Sequence, residues 1–157
     1  MKHKPRFWAS SALIVYMVAL GVHATVRAPA AQHIDASNTK LVAWGERLYG
    51  ERCAACHGAR LEGQPGWQHI GADGRLPAPP HDERGHTWHH SDRYLIRVTT
   101  HGLIPGKDRP SDYRSGMPAF REALSDEEIV AVLSFIKSTW SYEYRAWQER
   151  AGESEHE

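Results

Sequence analysis

Cys53-Ala54-Ala55-Cys56-His57 is the stretch whose reading decides this chain. Two thiols three positions apart, followed directly by an imidazole, form the C-x-x-C-H pattern that attaches haem covalently. Each thiol can add to one haem vinyl group, and the histidine offers a neutral nitrogen donor to the iron. Cys53 and Cys56 are the only cysteines in the 157 residues, so any other thiol chemistry would have to use the same pair. A bare C-x-x-C also serves thioredoxin-like redox pairs and half of many zinc sites. No βαβ pattern surrounds it, which counts against the redox pair. A zinc or copper binding module stays open as a rival, with Cys53 and Cys56 joined by two of the loop histidines His86, His89 and His90, or with the wider group that includes His81. The intervening segment is longer than in compact zinc modules, and no acid or thiol spacing completes a coordination set.

Upstream, Leu41, Trp44, Gly45, Leu48 and Tyr49 recur at spacings of three and four and predict a helix from Thr39 that delivers the chain into Cys53. Gly45 inside it costs about 1 kcal/mol relative to alanine, so it is expected to permit close approach of another backbone. Downstream, Gly58 to Gly85 is rich in Gly, Pro and polar residues without a sustained period. That predicts irregular chain wrapped around a cofactor. Pro77, Pro79 and Pro80 lack N–H donors but keep acceptor carbonyls, one of which could take the second ring N–H of His57 and strengthen its donation to iron. Trp88 is expected either in ordinary core or on a cofactor edge, with its N–H on a carboxylate such as a haem propionate. His81, His86, His89 and His90 read first as loop or surface histidines, any of which could instead be a second iron ligand.

Ser91 and Asp92 look like a helix start, with Tyr94, Leu95, Val98 and His101 at helical spacing until Gly102. Leu103 to Gly116 is again loop-like and leads into Met117-Pro118. A methionine in a loop usually packs. Its place after C-x-x-C-H and before a strong helix makes Met117 the expected second axial ligand, a soft donor that favours ferrous iron. That last helix opens on the capping box Ser125-Asp126-Glu127-Glu128 and buries Ile129, Val132, Leu133, Ile136 and Trp140. Ser141 to Arg150 reads as a second, more polar helix, and Ala151 to Glu157 as an acidic, frayed tail.

Met1 to Arg6 is basic and Phe7 to Val22 is apolar or small, the layout of an export signal. Val22-His23-Ala24 offers a cleavage site after Ala24. Sixteen helical residues span about 24 Å against roughly 30 Å of hydrocarbon, but continuing to Val26 would close the gap and make residues 7–26 an anchor in the inner membrane. Both fates imply an exported, periplasmic domain. The 19 basic and 19 acidic side chains balance, and setting aside Lys2, Lys4 and Arg6 of the leader leaves 16 against 19. Nothing there suits a nucleic-acid binder held by phosphate neutralisation. The expected organisation is a signal peptide or anchor over 1–27, a linker over 28–38, one domain over 39–140, and a C-terminal extension over 141–157.

The helix Gly45-Glu46-Arg47-Leu48-Tyr49, then Cys53 to His57, then Met117-Pro118, then the helix ending Phe135-Ile136-Lys137-Ser138-Thr139-Trp140, together resemble a class I c-type cytochrome of the exported bacterial monohaem type. The 60 residues from His57 to Met117 are similar to the family's separation of its two iron ligands. The resemblance implies an all-α cytochrome c fold, with N- and C-terminal helices crossing around one haem c, and Gly45 and Tyr49 meeting Val132 and Phe135. It implies His57 and Met117 as axial ligands and a proline carbonyl, for which Pro79 is chosen, behind His57. The expected function is electron transfer in a periplasmic or membrane-associated respiratory chain, the iron cycling between ferrous and ferric. The protein is then no enzyme, and its redox partners would be a dehydrogenase, a quinol-oxidising complex or a terminal oxidase. The alternative is a haem-based peroxidase or gas-binding sensor in which a labile Met117 opens the iron.

Overall fold

Asn38 starts the first helix by accepting the Leu41 amide on its side-chain oxygen at 3.1 Å. The helix, α1 (Thr39–Arg52), is followed at once by the short turn α2 (Ala54–His57) in this computed structural model, which describes residues 33–154. A long irregular stretch then reaches a single 3₁₀ turn (Thr87–His89), α3 (Asp92–His101), a second irregular stretch, α4 (Asp126–Ser138) and α5 (Tyr142–Ser154). Two isolated β-bridges are present and no strands, among the described residues. The fold is all-α, as expected. Residues 1–27, where an export signal or anchor is expected, lie outside the described residues, and no described helix is long and apolar enough to cross a membrane.

The expected capping box forms in full at the start of α4: Ser125 Oγ accepts the Glu128 amide at 3.3 Å, and the Glu128 carboxylate accepts the Ser125 amide at 2.8 Å. Ile129, Val132, Leu133 and Ile136 are then buried, with Leu48 and Tyr49 of α1 in the same core. The crossing of α1 and α4 depends on Gly45. A Cβ placed there would fall onto the carbonyl of Ala131 and within 3.0 Å of the Phe135 Cβ. The glycine's partner is therefore the Ala131 backbone, one residue before Val132, while the Tyr49 and Phe135 rings meet at 5.4 Å.

The ends of the domain are fastened to the same frame. Ile34, in the segment read as a linker, is only 1% exposed and joins the core, while the Asp35 amide donates to the buried Ser134 Oγ at 3.0 Å. One apolar side chain in a run of small and polar residues was too weak a periodic signal to show this. At the other end α5 folds back: Gln148 Nε2 donates to the His90 carbonyl at 3.0 Å and to Asp92 at 2.7 Å. Lys137, 6% exposed, faces Asp92 at 3.6 Å and Glu149 at 3.7 Å.

Candidate functional site

Cys53 ends α1 with its amide bonded to the Tyr49 carbonyl at 2.9 Å, and its own carbonyl receives the Cys56 and His57 amides at 3.1 and 2.9 Å. One helical turn therefore carries both sulfurs at an i, i+3 spacing, which places them on the same face. Cys53 is half-buried against the core and Cys56 is exposed, and the two are not disulfide-bonded. Burial, reinforced by Cys56, pushes the Cys53 thiol up to about 11, so at neutral pH the unreacted side chain is a thiol.

His57 is 7% exposed and its Nδ1 donates to the carbonyl of Pro79 at 2.8 Å. The proton on Nδ1 leaves the lone pair on Nε2, the form of imidazole that binds a metal. Burial lowers the pKa of His57, opposed by the Pro79 bond, so the ring is neutral at physiological pH. The choice of Pro79 over Pro77 and Pro80 follows from how residues 61–64 grip residues 78–81. Gln64 donates its amide to the Ala78 carbonyl at 2.8 Å, its side chain accepts the Ala78 amide at 2.8 Å, and the His81 amide reaches Leu61 at 2.8 Å. Gly63 makes the grip possible. It has φ +70°, its amide reaches the His57 carbonyl at 2.7 Å, and a Cβ there would lie 2.5 Å from the Pro80 nitrogen.

The other expected residues fall around this turn in different ways. Met117 is half-buried against the core; its amide donates to Ser115 Oγ at 3.1 Å, and that hydroxyl donates to the Met117 carbonyl at 3.3 Å. Trp88 gives its N–H to the Glu83 carbonyl at 3.3 Å and sets its ring against Tyr144 and Trp147 of α5. Among the four loop histidines only His89 is exposed. His81 stacks on His57, with ring centroids 4.0 Å apart, and His86 stacks on Trp67 at 5.5 Å. Among the described residues no group of three His, Cys, Asp or Glu side chains converges as a metal site, so a zinc or copper module has no coordination set to rest on.

The residues present fit a haem. The motif supplies two free thiols and one tautomerically fixed imidazole. Arg109, eight residues before Met117, also holds its Nε enclosed with no partner. The guanidinium lies over the Tyr113 ring at 5.8 Å and its enclosed Nε is a donor that an anion would satisfy, and a haem carries two propionates. Sequence reading passed over Arg109, since one arginine in a polar loop gives no signal without its burial.

The family model for cytochrome c matches residues 42–140, a span that includes the attachment turn, Pro79 and Met117. The chain belongs to the cytochrome c family. No curated protein and no solved structure gives a match. As a c-type cytochrome domain it carries one haem c, attached covalently through Cys53 and Cys56, and functions in electron transfer with redox partners. The haem supplies a one-electron couple between ferrous and ferric iron. The protein supplies the helical frame, the attachment turn and the fixed imidazole.

Proposed function

We propose that this cytochrome carries electrons through a haem c held between His57 and Met117, in a periplasmic or membrane-associated respiratory chain. The hydrogen bond from His57 Nδ1 to Pro79 at 2.8 Å carries the reading. It is the carbonyl bond that a metal-bound histidine uses to fix its orientation and raise its basicity. Met117 supplies the opposing thioether, which favours ferrous iron, and Pro118 holds the chain extended behind it. Two filled axial positions keep the iron's surroundings the same in both oxidation states, as an electron carrier needs. Residues 1–27 would export the chain and either be cleaved near Ala24 or hold it in the inner membrane through residues 7–26. Its partners would be a dehydrogenase, a quinol-oxidising complex or a terminal oxidase.

Absorption spectra of the exported, matured protein test the ligand pair. The expected result is the sharp reduced bands of covalent low-spin haem, with the weak far-red sulfur-to-iron band in the oxidised form and reversible one-electron titration. Covalent haem without the far-red band would remove Met117 as ligand. Rapid binding of carbon monoxide or peroxide would then favour a sensor or peroxidase.

A further inference from the structure

We propose that His81 is a positioning residue that fixes the plane of the His57 imidazole. The inference rests on His57 as an axial ligand. The bond from Nδ1 to Pro79 fixes one in-plane direction of the His57 ring, but a single hydrogen bond leaves a ring free to rock about the donor–acceptor line. The His81 ring lies across that freedom. Its centroid is 4.0 Å from that of His57 and the two planes differ by 22°.

A stacked neighbour can hold a ring only if it is held itself, and His81 is held at both its backbone and its ring. Its amide donates to Leu61 at 2.8 Å, and its carbonyl accepts the indole N–H of Trp140 at 2.8 Å. Its Nδ1 shares a hydrogen bond with Thr87 Oγ1 at 2.9 Å, and the Tyr49 ring meets its edge at 6.3 Å. Trp140 follows the end of α4 and Tyr49 lies on α1, so groups from both sides of the helical crossing meet His81. An imidazole does here what a leucine could not, because it is flat and can also bond to Thr87 to fix its own plane. The plane of an axial imidazole selects which iron d orbital it overlaps, and so how unpaired spin spreads over the haem of the ferric protein.

Proton NMR of the complete holoprotein reads this directly, in the wild type and in His81→Phe, His81→Leu and Thr87→Val. In the reduced wild type, His57 ring protons shifted strongly upfield by the haem ring current report ligation. Their absence would remove the ligand assignment, and this inference with it. With those signals present, the four haem methyl shifts of the oxidised protein are expected to keep their order in His81→Phe and to change in spread only as much as in Thr87→Val, since both variants lose the Thr87 bond. In His81→Leu the spread should change, by less in Thr87→Val. Phe and Leu remove the same polarity, so a midpoint potential that moves further for Leu than for Phe reports the flat ring itself. Should His81→Leu fail to fold, Thr87→Val against the wild type still decides. Methyl patterns unchanged in the folded variants, even with lower denaturation midpoints, would overturn the proposal and leave His81 a packing residue.

Discussion

The segment presenting His57 is fastened to several distant parts of the chain, whereas the segment presenting Met117 is fastened largely to itself. Around His57, the Pro79 carbonyl, the Gly63 amide and the Tyr49 hydroxyl, which donates to the Gly58 carbonyl at 2.9 Å, all lock the turn. Around Met117 the bonds are to Ser115, two residues away. A single bridge pairs Arg114 with Arg75 before it, and after it the Phe120 and Arg121 amides reach the Thr99 and Thr100 carbonyls at 3.0 and 3.1 Å. Low-stability openings are drawn from segments with few non-local contacts. For the proposed ligand pair, the difference teaches that exchange should begin at Met117, with His57 staying in place.

The largest effect is expected where both sides lose their common frame. Gly45→Val puts a branched side chain onto the Ala131 carbonyl, so α1 and α4 must separate. Overpacking against backbone should cost more than about 3 kcal/mol. Guanidinium denaturation of the holoprotein checks this, and a midpoint near that of the wild type would show that the crossing yields easily. Next comes Met117→Ala, which divides the two sides. Haem should stay attached, the far-red band should vanish, and added imidazole should bind at least about tenfold more tightly, or 1.4 kcal/mol. An unchanged spectrum would reject Met117 as the ligand.

How much of this was legible in the sequence follows from the range of the forces involved. The helices were readable because capping and periodicity act within one or two turns: Ser125 with Glu128, Ser91 as the cap of α3, and Gly102 at its end. The attachment turn was readable because its chemistry lies in five consecutive residues. Pro79 was one of three candidates, and residues fourteen and more positions apart had to meet before one carbonyl faced His57. The stacking of His81 on His57 and the enclosed Nε of Arg109 are products of tertiary packing. Neither has any local signature. Ile34 was missed for the opposite reason, since its neighbours look like linker while its side chain fills the core.

Acid should sharpen the comparison from the Met117 side. The buried carboxylate of Asp108 accepts from Arg97 at 3.0 Å and from the Ile104 amide at 2.7 Å, which ties the loop before Met117 to α3. The bond to Arg97, with the Ile104 amide adding to it, holds the Asp108 pKa below its ordinary value. A lowered folded pKa means that the charged form is favoured by the fold. The contribution is therefore complete above the unfolded value of about 3.9 and is lost as pH falls through the lower folded value. Below about pH 4 the far-red band should weaken before the haem bands of the His57 side change. Asp108→Asn should loosen the loop by about 1–2 kcal/mol at neutral pH and remove that acid step. Simultaneous loss of all bands in both proteins would mean that the two sides open together.

The smallest expected effect separates local from global anchoring. Ser115→Ala removes both bonds between its hydroxyl and the Met117 backbone, and Ser125→Ala removes the cap of α4. Each should cost about 1 kcal/mol. Their readouts should differ. The cap supports the helix that crosses α1, so Ser125→Ala should lower the denaturation midpoint while leaving the rate of Met117 replacement by imidazole unchanged. The Ser115 bonds act within the segment expected to open ahead of the rest of the fold, so Ser115→Ala should speed that replacement about fivefold with little change in the midpoint. Equal effects of the two variants on both measurements would show that the Met117 segment opens only when the whole fold does, and the difference between the two sides of the haem would then be one of geometry alone.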